Sequence, residues 1–316
     1  MEPASAVQPA VRARSLLKRY GPLLAVDGVD LDVAPGECVA LLGPGGAGKT
    51  TTLRMLYGRT PATSGELEVL GLPVPGGLRS IKRRIGVLPQ HDDLDDAFSV
   101  LRNLTLHGRC FGLGARECRR RAAELLGFLE LEDRRGARVR DLPSGVRRRL
   151  MIARALVHAP ALLLLDEPTG GLALDARLAV WDRIRALQRS GTTVLFATRH
   201  AREAERLAGR VVVMDHGKIL DSGPPDDLVA RHAAGRVAEL AGYPADVLAA
   251  VDDAGLRHEA AGERLLVHSS DERGELLLRA LCARFPAARV TIRQGTLEDV
   301  FLKLAGRPLP DGSDAA

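Results

Sequence analysis

The sequence has few aromatic side chains, few cysteines and little lysine. Aromatic residues make up 3% of the 316 residues, too few for the stacking platforms on which proteins bind unpaired bases. The four cysteines show neither C-x-x-C nor another metal-ligand spacing, and we interpret all of them as buried thiols in a reducing compartment. They are Cys38, Cys110, Cys118 and Cys282.

The sequence also lacks a long apolar run and an N-terminal signal pattern. No uninterrupted run approaches the roughly 20 residues that a helix needs to cross a bilayer, and residues 1–8 are not basic and then apolar. We therefore expect a cytoplasmic protein that reaches a membrane only through a partner. The net charge is +5, but the arginines are scattered among 40 acidic residues, which favours a solvated surface over a nucleic-acid-binding face.

A glycine-rich loop organises the chain. It follows an apolar run at residues 38–42, precedes a helical segment and fits the P-loop pattern G-x-x-x-x-G-K-[ST] at every fixed position. Glycines let successive N–H groups curl around a phosphate, and the next helix adds its positive N-terminus. Lys49, one of only five lysines, is expected to neutralise the outer phosphates and Thr50 to bind Mg²⁺. The candidate nucleotide-binding residues are Gly43, Pro44, Gly45, Gly46, Ala47, Gly48, Lys49, Thr50 and Thr51.

Two acidic residues close a second apolar run. The pattern at residues 161–165 predicts a buried parallel strand, and Asp166 and Glu167 follow at its carboxyl end, where α/β sheets place their ligands. We expect Asp166 to hold Mg²⁺ and Glu167 to polarise the attacking water. The alternative is that both acids only cap the next turn.

Three further features leave alternatives open. Gln90 follows the segment 81–88, which we predict as a strand, and its amide would reach a metal-bound water. Tyr20, at a turn, either stacks on an adenine ring or serves only the turn. Arginines concentrate between residues 134 and 149, which indicates either a solvated helical face or a surface that docks onto an acidic partner. They are Arg134, Arg135, Arg138, Arg140, Arg147, Arg148 and Arg149.

The order of the predicted elements divides the chain into an α/β domain and a smaller unit. The domain boundaries are a flexible tail at 1–10, a nucleotide-binding domain at 11–230 with a helical part at about 91–160, a two-layer α+β module at 231–306 and a second tail at 307–316. In the module, we predict strands at 236–240, 256–260, 264–268 and 288–293, and helices at 245–254, 272–284 and 296–305.

Together these motifs resemble the ATPase subunit of ABC transporters over about residues 11–223. The resemblance implies a P-loop NTPase cassette, with a RecA-like core, an antiparallel β subdomain and a helical subdomain, in which Gln90 forms the Q-loop and Tyr20 stacks on adenine. It also implies that two subunits sandwich two Mg-ATP molecules beside a separate membrane permease. Residues 85–95 and 296–301 are similar to those of nodulation-factor and daunorubicin-resistance exporters, which implies ABC-2-type export.

The sequence departs from this family pattern where the second subunit would be contacted. The signature L-S-G-G is replaced, since Pro143 lacks both an N–H and a hydroxyl, and Ser144 and Gly145 would contact the partner's nucleotide instead. The acid of the D-loop is replaced by Ala173.

The switch histidine of the family is also displaced. Arg199 aligns with it, and His200 is one residue late, so on a strand His200 would serve as a catalytic residue only if a β-bulge corrected the register. We therefore expect good Mg-ATP binding with weakened hydrolysis.

Two functions remain open from the sequence. The first is the ATPase subunit of a bacterial ABC-2-type exporter, a homodimer or heterodimer held at the inner face of the cell membrane by its permease, with no nucleic-acid partner. The second is a soluble ATP-switched cassette that acts as a regulator or on DNA or ribosomes. The single cassette, the lack of coiled-coil heptads and the few aromatic residues argue against the second. The C-terminal module would aid dimerisation or regulation, or only stabilise the chain.

Overall fold

The computed structural model describes residues 8–233, 235–243, 246–261, 264–269, 274, 276, 279, 280, 283 and 289–309. Along the chain, one compact unit ends at Ile219 and a second begins at Leu220. Most of the two predicted tails, most of the predicted helix 272–284 and Cys282 lie outside the described residues.

The bounds of the strands and helices in the described residues are as follows. The strands are β1 (Val11–Tyr20), β2 (Leu23–Val33), β3 (Cys38–Leu42), β4 (Ser64–Val69), β5 (Leu72–Pro73), β6 (Ile85–Leu88), β7 (Leu162–Asp166), β8 (Thr193–Thr198), β9 (Arg210–Asp215), β10 (Lys218–Gly223), β11 (Arg236–Ala241), β12 (Arg257–Ala261), β13 (Arg264–Ser269) and β14 (Arg289–Gln294). The helices are α1 (Lys49–Leu56), α2 (Leu78–Arg84), α3 (Val100–Cys110), α4 (Ala115–Phe128), α5 (Ser144–Leu156), α6 (Leu174–Arg189), α7 (Ala201–Leu207), α8 (Pro225–His232), α9 (Asp246–Asp253) and α10 (Leu297–Ala305).

The central sheet carries the predicted nucleotide loop and acid pair on β3 and β7, the two strands that flank β8. Its order is β10-β9-β3-β8-β7-β6, and β9, β3, β8, β7 and β6 run parallel. Every residue of β3, β7 and β8 is buried, because strands covered on both faces need continuous apolar runs. Leu42 pairs with Thr198, and Asp166 pairs with Ala197. The carboxyl ends of these three strands therefore meet at one edge of the sheet.

Strands β1, β2, β4 and β5 form the antiparallel subdomain that the resemblance implies. The order of this sheet is β2-β1-β4-β5. Alternate residues such as Val11 and Ala13 in β1 and Leu31 and Val33 in β2 are buried. They belong to the same apolar cluster as Leu53 of α1. Alternation of buried and exposed residues is the pattern of a sheet with one covered face.

The predicted helical part consists of α3, α4 and α5. Three predictions in this part of the chain and just before it are corrected. Residues 81–84, predicted as strand, form the last turn of α2, where Ile81 is the only buried residue and three basic side chains suit the negative end of a helix. The sequence pattern predicts a helix over 147–158, and the observed helix α5 begins three residues earlier, at Ser144. Cys110 ends the amphipathic helix α3 and is exposed, so the interpretation of all four cysteines as buried is wrong; Cys38 and Cys118 are buried and free.

The second unit contains an antiparallel sheet of order β12-β13-β11-β14. Helix α9 lies between β11 and β12 in sequence, and residues 274, 276, 279, 280 and 283, between β13 and β14, are helical. This is the β-α-β-β-α-β arrangement of ferredoxin-like folds. All four strands predicted here are confirmed to within one residue. In the described part of the chain, no helix has both the length and the hydropathy of a membrane span.

Candidate functional site

The glycine-rich loop packs too closely for side chains at two of its glycines. A Cβ atom on Gly43 would lie 2.1 Å from the carbonyl oxygen of Met214, and one on Gly48 would lie 2.5 Å from that of Ala25. Gly48 also has φ +98°, which glycine alone adopts easily. The loop between β3 and α1 is thus held by neighbouring backbone, with α1 beginning at Lys49.

Lys49 is buried inside the loop that is predicted to bind phosphate. Its side chain is 5% exposed, and its Nζ atom donates to the carbonyl oxygens of Gly43 at 2.6 Å and Pro44 at 2.8 Å. Burial lowers the pKa of Lys49, while the charges of Glu167 and Asp166 oppose this effect. A buried ammonium ringed by loop carbonyls and facing two acids suits a site that receives a polyanion.

Asp166 joins the acid pair to the loop. Thr50 Oγ1 donates a hydrogen bond to Asp166 Oδ1 at 2.9 Å. Burial raises the pKa of Asp166, and the bond from Thr50 is the largest effect in the opposite direction. A hydroxyl and a carboxylate oxygen side by side are ligands that Mg²⁺ prefers; it keeps several waters and needs few protein ligands. Accordingly, the described residues contain no cluster of three His, Cys, Asp or Glu that would enclose a metal.

Glu167 has a strained backbone and an unused carboxylate oxygen. Its φ is +49°, in the left-handed region that glutamate rarely adopts. Within the described residues, its buried Oε2 atom has no hydrogen-bond partner. Burial raises the pKa of Glu167, and the charge of Lys49 opposes this effect. An unpaired, poorly solvated carboxylate next to a phosphate loop is the group expected of a general base.

Arg199 and His200 lie in the turn between β8 and α7, not on the strand. The premise that a β-bulge would be needed is therefore wrong, because strand alternation does not apply to them. Burial, together with the positive charges of Arg177, Arg199 and Lys49, lowers the pKa of His200 to about 4. Arg199 also acts electrostatically on Lys49 and Glu167, so both residues border the predicted phosphate site. The role of His200 in catalysis stays a prediction.

Gln90 and Tyr20 are two further residues that the sequence predicts for the nucleotide site. Gln90 follows β6 and is exposed, and Tyr20 ends β1 with 43% of its surface exposed. The Tyr20 ring carries the Lys18 ammonium over one face at 4.8 Å, while its hydroxyl donates to Thr60 Oγ1 at 3.4 Å. Adenine stacking by Tyr20 stays a prediction.

The residues predicted to face a second subunit lie at helix starts. Ser144 and Gly145 are the first residues of α5, and Ser144 is exposed. Pro143 stands at the N-cap of α5 with φ −58°, a geometry that proline adopts without strain. Ala173 stands at the N-cap of α6, which consequently has no side-chain cap.

Sequence reasoning missed Arg148 and Glu203. Arg148, counted among the surface arginines, is 7% exposed and donates to main-chain carbonyls beside the acid pair, so neither alternative for the basic segment holds for it. A signal was available, since Arg148 shares a helical face with the buried Met151 and Ile152.

Glu203 in α7 is fully buried. It accepts hydrogen bonds from Thr169 Oγ1 at 2.6 Å, Trp181 Nε1 at 2.9 Å and Thr198 Oγ1 at 2.5 Å. It thereby ties the turn after the acid pair to the end of β8. An acid in a short helix gives no sequence signal for such burial.

The fold and the site define a P-loop ATP-binding cassette. Residues 26–170 match the ABC transporter family, and residues 245–306 match the C-terminal domain of the nodulation factor export protein NodI. The Nod factor export ATP-binding protein I of Cupriavidus pinatubonensis is 42% identical over 310 residues, which cover 98% of this chain and 94% of the relative. The protein of the same name from Rhizobium meliloti is 42% identical over 303 residues, covering 96% and 90%.

Solved structures agree with this assignment. A dimeric ATP-binding cassette bound to ADP and Pi has a TM-score of 0.62 and 27% identity, covering 68% of this chain and 98% of its own. The cbiO1 protein of Clostridium perfringens, part of an ABC transporter complex, has a TM-score of 0.65 and 26% identity, covering 71% and 91%. This chain therefore belongs to the ABC transporter family and, within it, to the group of Nod factor export ATP-binding proteins.

Proposed function

We propose that this chain is the ATP-binding and ATP-hydrolysing subunit of a bacterial ABC-2-type export system. The observation that carries the proposal is the hydrogen bond from Thr50 to Asp166, which joins the phosphate loop to acids 116 residues further along the chain. The relatives are named as Nod factor export proteins, which supports export. Nothing in these names favours a soluble cassette that acts on DNA or ribosomes.

In this proposal the loop amides and Lys49 bind the outer phosphates, and Tyr20 stacks on the adenine. Thr50, Asp166 and Gln90 would hold Mg²⁺, which offsets phosphate charge. Glu167 orients the attacking water and accepts its proton. Because burial raises the pKa of Glu167, its carboxylate is a stronger base than an exposed glutamate.

Full activity requires a second ATP-binding subunit, identical or different, and a membrane permease that holds the pair at the inner face of the membrane. Ser144 and Gly145 would contact the nucleotide of the other subunit, and His200 would act within its own. A solved relative of this fold is dimeric, which supports pairing. The replacement at Pro143 removes an N–H and a hydroxyl donor from the contact between the subunits, and the replacement at Ala173 removes an acid. Losing one transition-state donor costs roughly a hundred- to a thousandfold in rate.

The test is ATP binding by isothermal titration calorimetry and ATP turnover with the membrane subunit in vesicles. We expect Lys49→Ala to weaken ATP binding by roughly 10- to 100-fold, the value of one or two charge-assisted hydrogen bonds. Glu167→Gln should keep ATP affinity and abolish turnover. Lys82→Ala, on the exposed face of α2, is the matched control. Undiminished ATP affinity in Lys49→Ala would contradict the proposal.

A further inference from the structure

We propose that Arg148 is a positioning residue that holds the Gln90 segment and the acid pair in one arrangement and ties both to helix α5. This inference rests on the proposed ATPase function. Arg148 does not itself bind the nucleotide in the proposed site. It acts through the backbone of residues that do.

All three side-chain nitrogens of Arg148 donate to main-chain carbonyl groups, and Nη1 also contacts the Met151 Sδ atom at 3.9 Å. An arginine has five N–H bonds in a planar fork, and here each has its own acceptor. The acceptors are the carbonyl oxygens of Pro168 for Nε at 2.9 Å, of Pro89 and Gln90 for Nη1 at 3.0 and 3.3 Å, and of Asp166 and Glu167 for Nη2 at 2.7 and 2.5 Å. One side chain thus joins two segments that follow β6 and β7.

The bonds to carbonyls explain how a buried cation is accommodated. Burial lowers the pKa of Arg148, while the charge of Asp166 and those of further acids oppose this effect, and a guanidinium stays charged in proteins. Five carbonyl dipoles offset the cost of removing the cation from water. Because these acceptors are backbone atoms, Arg148 fixes the course of the chain there.

The strained conformation of Glu167 shows why it matters that Arg148 holds the main chain in place. A glutamate with φ +49° persists only where its surroundings hold it. Three hydrogen bonds do so at this residue: its N–H donates to Ala197 at 2.9 Å, and its carbonyl accepts from Gly170 at 3.1 Å and from Arg148. Of these donors, Arg148 alone comes from α5. The orientation of the Glu167 carboxylate therefore depends on where α5 lies.

The position of Arg148 on α5 links this effect to the second subunit. Ser144, the first residue of α5, precedes Arg148 by about one helical turn. The adjacent Arg147 holds the segment after Gln90 through Asp92 at 2.5 Å and Asp96 at 2.8 Å. A shift of the start of α5 on meeting the partner's nucleotide would move the Gln90 segment and Glu167 together.

The experiment compares Arg148→Lys and Arg148→Gln with Arg149→Lys in the full chain. Arg149 lies on the same helix, but in the described part of the chain it bonds the Leu129 carbonyl at 3.1 Å and pairs with Glu130 at 3.7 Å, away from the Gln90 segment and the acid pair. Lysine keeps the charge and has three donors that cannot span five acceptors. We expect Arg148→Lys to bind ATP in EDTA within about twofold of wild type, and Arg149→Lys to match wild type throughout.

Two readouts separate positioning from a merely structural role. The gain in ATP affinity on adding Mg²⁺ and the kcat with the membrane subunit should both fall roughly 10- to 100-fold in Arg148→Lys, as for residues that orient metal ligands. The effect on kcat should shrink in a Gln90→Ala background, because both changes act through one group. Arg148→Gln should behave like Arg148→Lys.

Several outcomes would overturn the inference. Wild-type kcat and Mg²⁺ response in Arg148→Lys, or fully additive effects with Gln90→Ala, would show that the carbonyls hold their positions alone. Failure of both variants to fold, judged by thermal melting, would make Arg148 a structural residue. If wild type binds no ATP, the proposed function falls and the inference falls with it; if wild type turns over ATP, these outcomes concern Arg148 alone.

Discussion

Replacing Glu203 tests how far the catalytic edge depends on buried polar contacts. This side chain is fully buried and accepts hydrogen bonds from Thr169, Trp181 and Thr198. Glu203→Ala leaves these three donors without their acceptor. An unsatisfied buried donor costs about 1–3 kcal/mol, but the two threonine hydroxyls can rotate towards other acceptors whereas the indole N–H cannot. We therefore expect a loss of about 3–5 kcal/mol, a large part of the 5–15 kcal/mol typical of a domain.

Glu203→Gln separates hydrogen bonding from charge. The amide oxygen keeps one acceptor, and the amide nitrogen can donate to a threonine hydroxyl that turns round, so the loss at low pH should be about 1 kcal/mol. Burial raises the pKa of Glu203 above its ordinary 4.5, so the folded state binds the proton more tightly than the unfolded state. Its contribution to stability is thus complete below pH 4.5 and is lost as pH rises through the folded pKa. Glutamine lacks this dependence.

The assay is urea unfolding followed by the emission of Trp181, the single tryptophan of the chain. Relative to wild type, Glu203→Gln should gain stability as pH rises above 4.5, whereas Glu203→Ala should be the least stable protein at every pH. A loss below about 1 kcal/mol for Glu203→Ala would refute the account of the buried donors. A pH-independent difference between Glu203→Gln and wild type would refute the raised pKa.

Four further predictions concern the site itself. Gly43→Ala should abolish ATP binding in calorimetry, because its Cβ would lie 2.1 Å from the Met214 carbonyl oxygen and displace the loop; normal affinity would refute this. Burial raises the pKa of Glu167, so kcat/KM should fall on acidification above pH 4.5, and a fall only below that value would contradict its role as base. Arg199→Ala should weaken ATP binding roughly tenfold through loss of a charge near the phosphates. His200→Ala should lower kcat without changing its profile between pH 6 and 8, because the pKa of His200 is about 4.

The sequence is informative where local chemistry and burial agree. The P-loop, the acid pair and the buried strands β3 and β7 could all be located, because continuous apolar runs ending in specific polar residues have few other interpretations. The strands of the second unit were also located to within one residue. In these cases the neighbouring residues in the sequence are enough to indicate whether a residue is buried.

Prediction failed where a residue's environment comes from distant segments. Residues 81–84 carry an apolar position followed by basic ones, a pattern that a short helix and a strand share, and the burial of Ile81 alone decides between them. Arg148 looks like its neighbours Arg147 and Arg149, yet its acceptors lie at the ends of β6 and β7, 59 and 18 residues away along the chain. The strain at Glu167 likewise depends on contacts that local propensity does not encode.

The departures from the family pattern have a common physical property: the fold of this chain tolerates them. Pro143 stands at the N-cap of α5 with an ordinary φ, and Ala173 stands at the N-cap of α6 without a side-chain cap. A serine or an aspartate would cap these helices better, but the loss of one N-cap side-chain bond costs only about 1 kcal/mol. We propose that the serine and the acid of the family pattern act instead in contacts with another chain. In a homodimer both nucleotide sites would contain Pro143, and turnover would be slow at both. In a heterodimer with a partner that retains the serine, one site would keep its donor, so the turnover per dimer distinguishes the two assemblies.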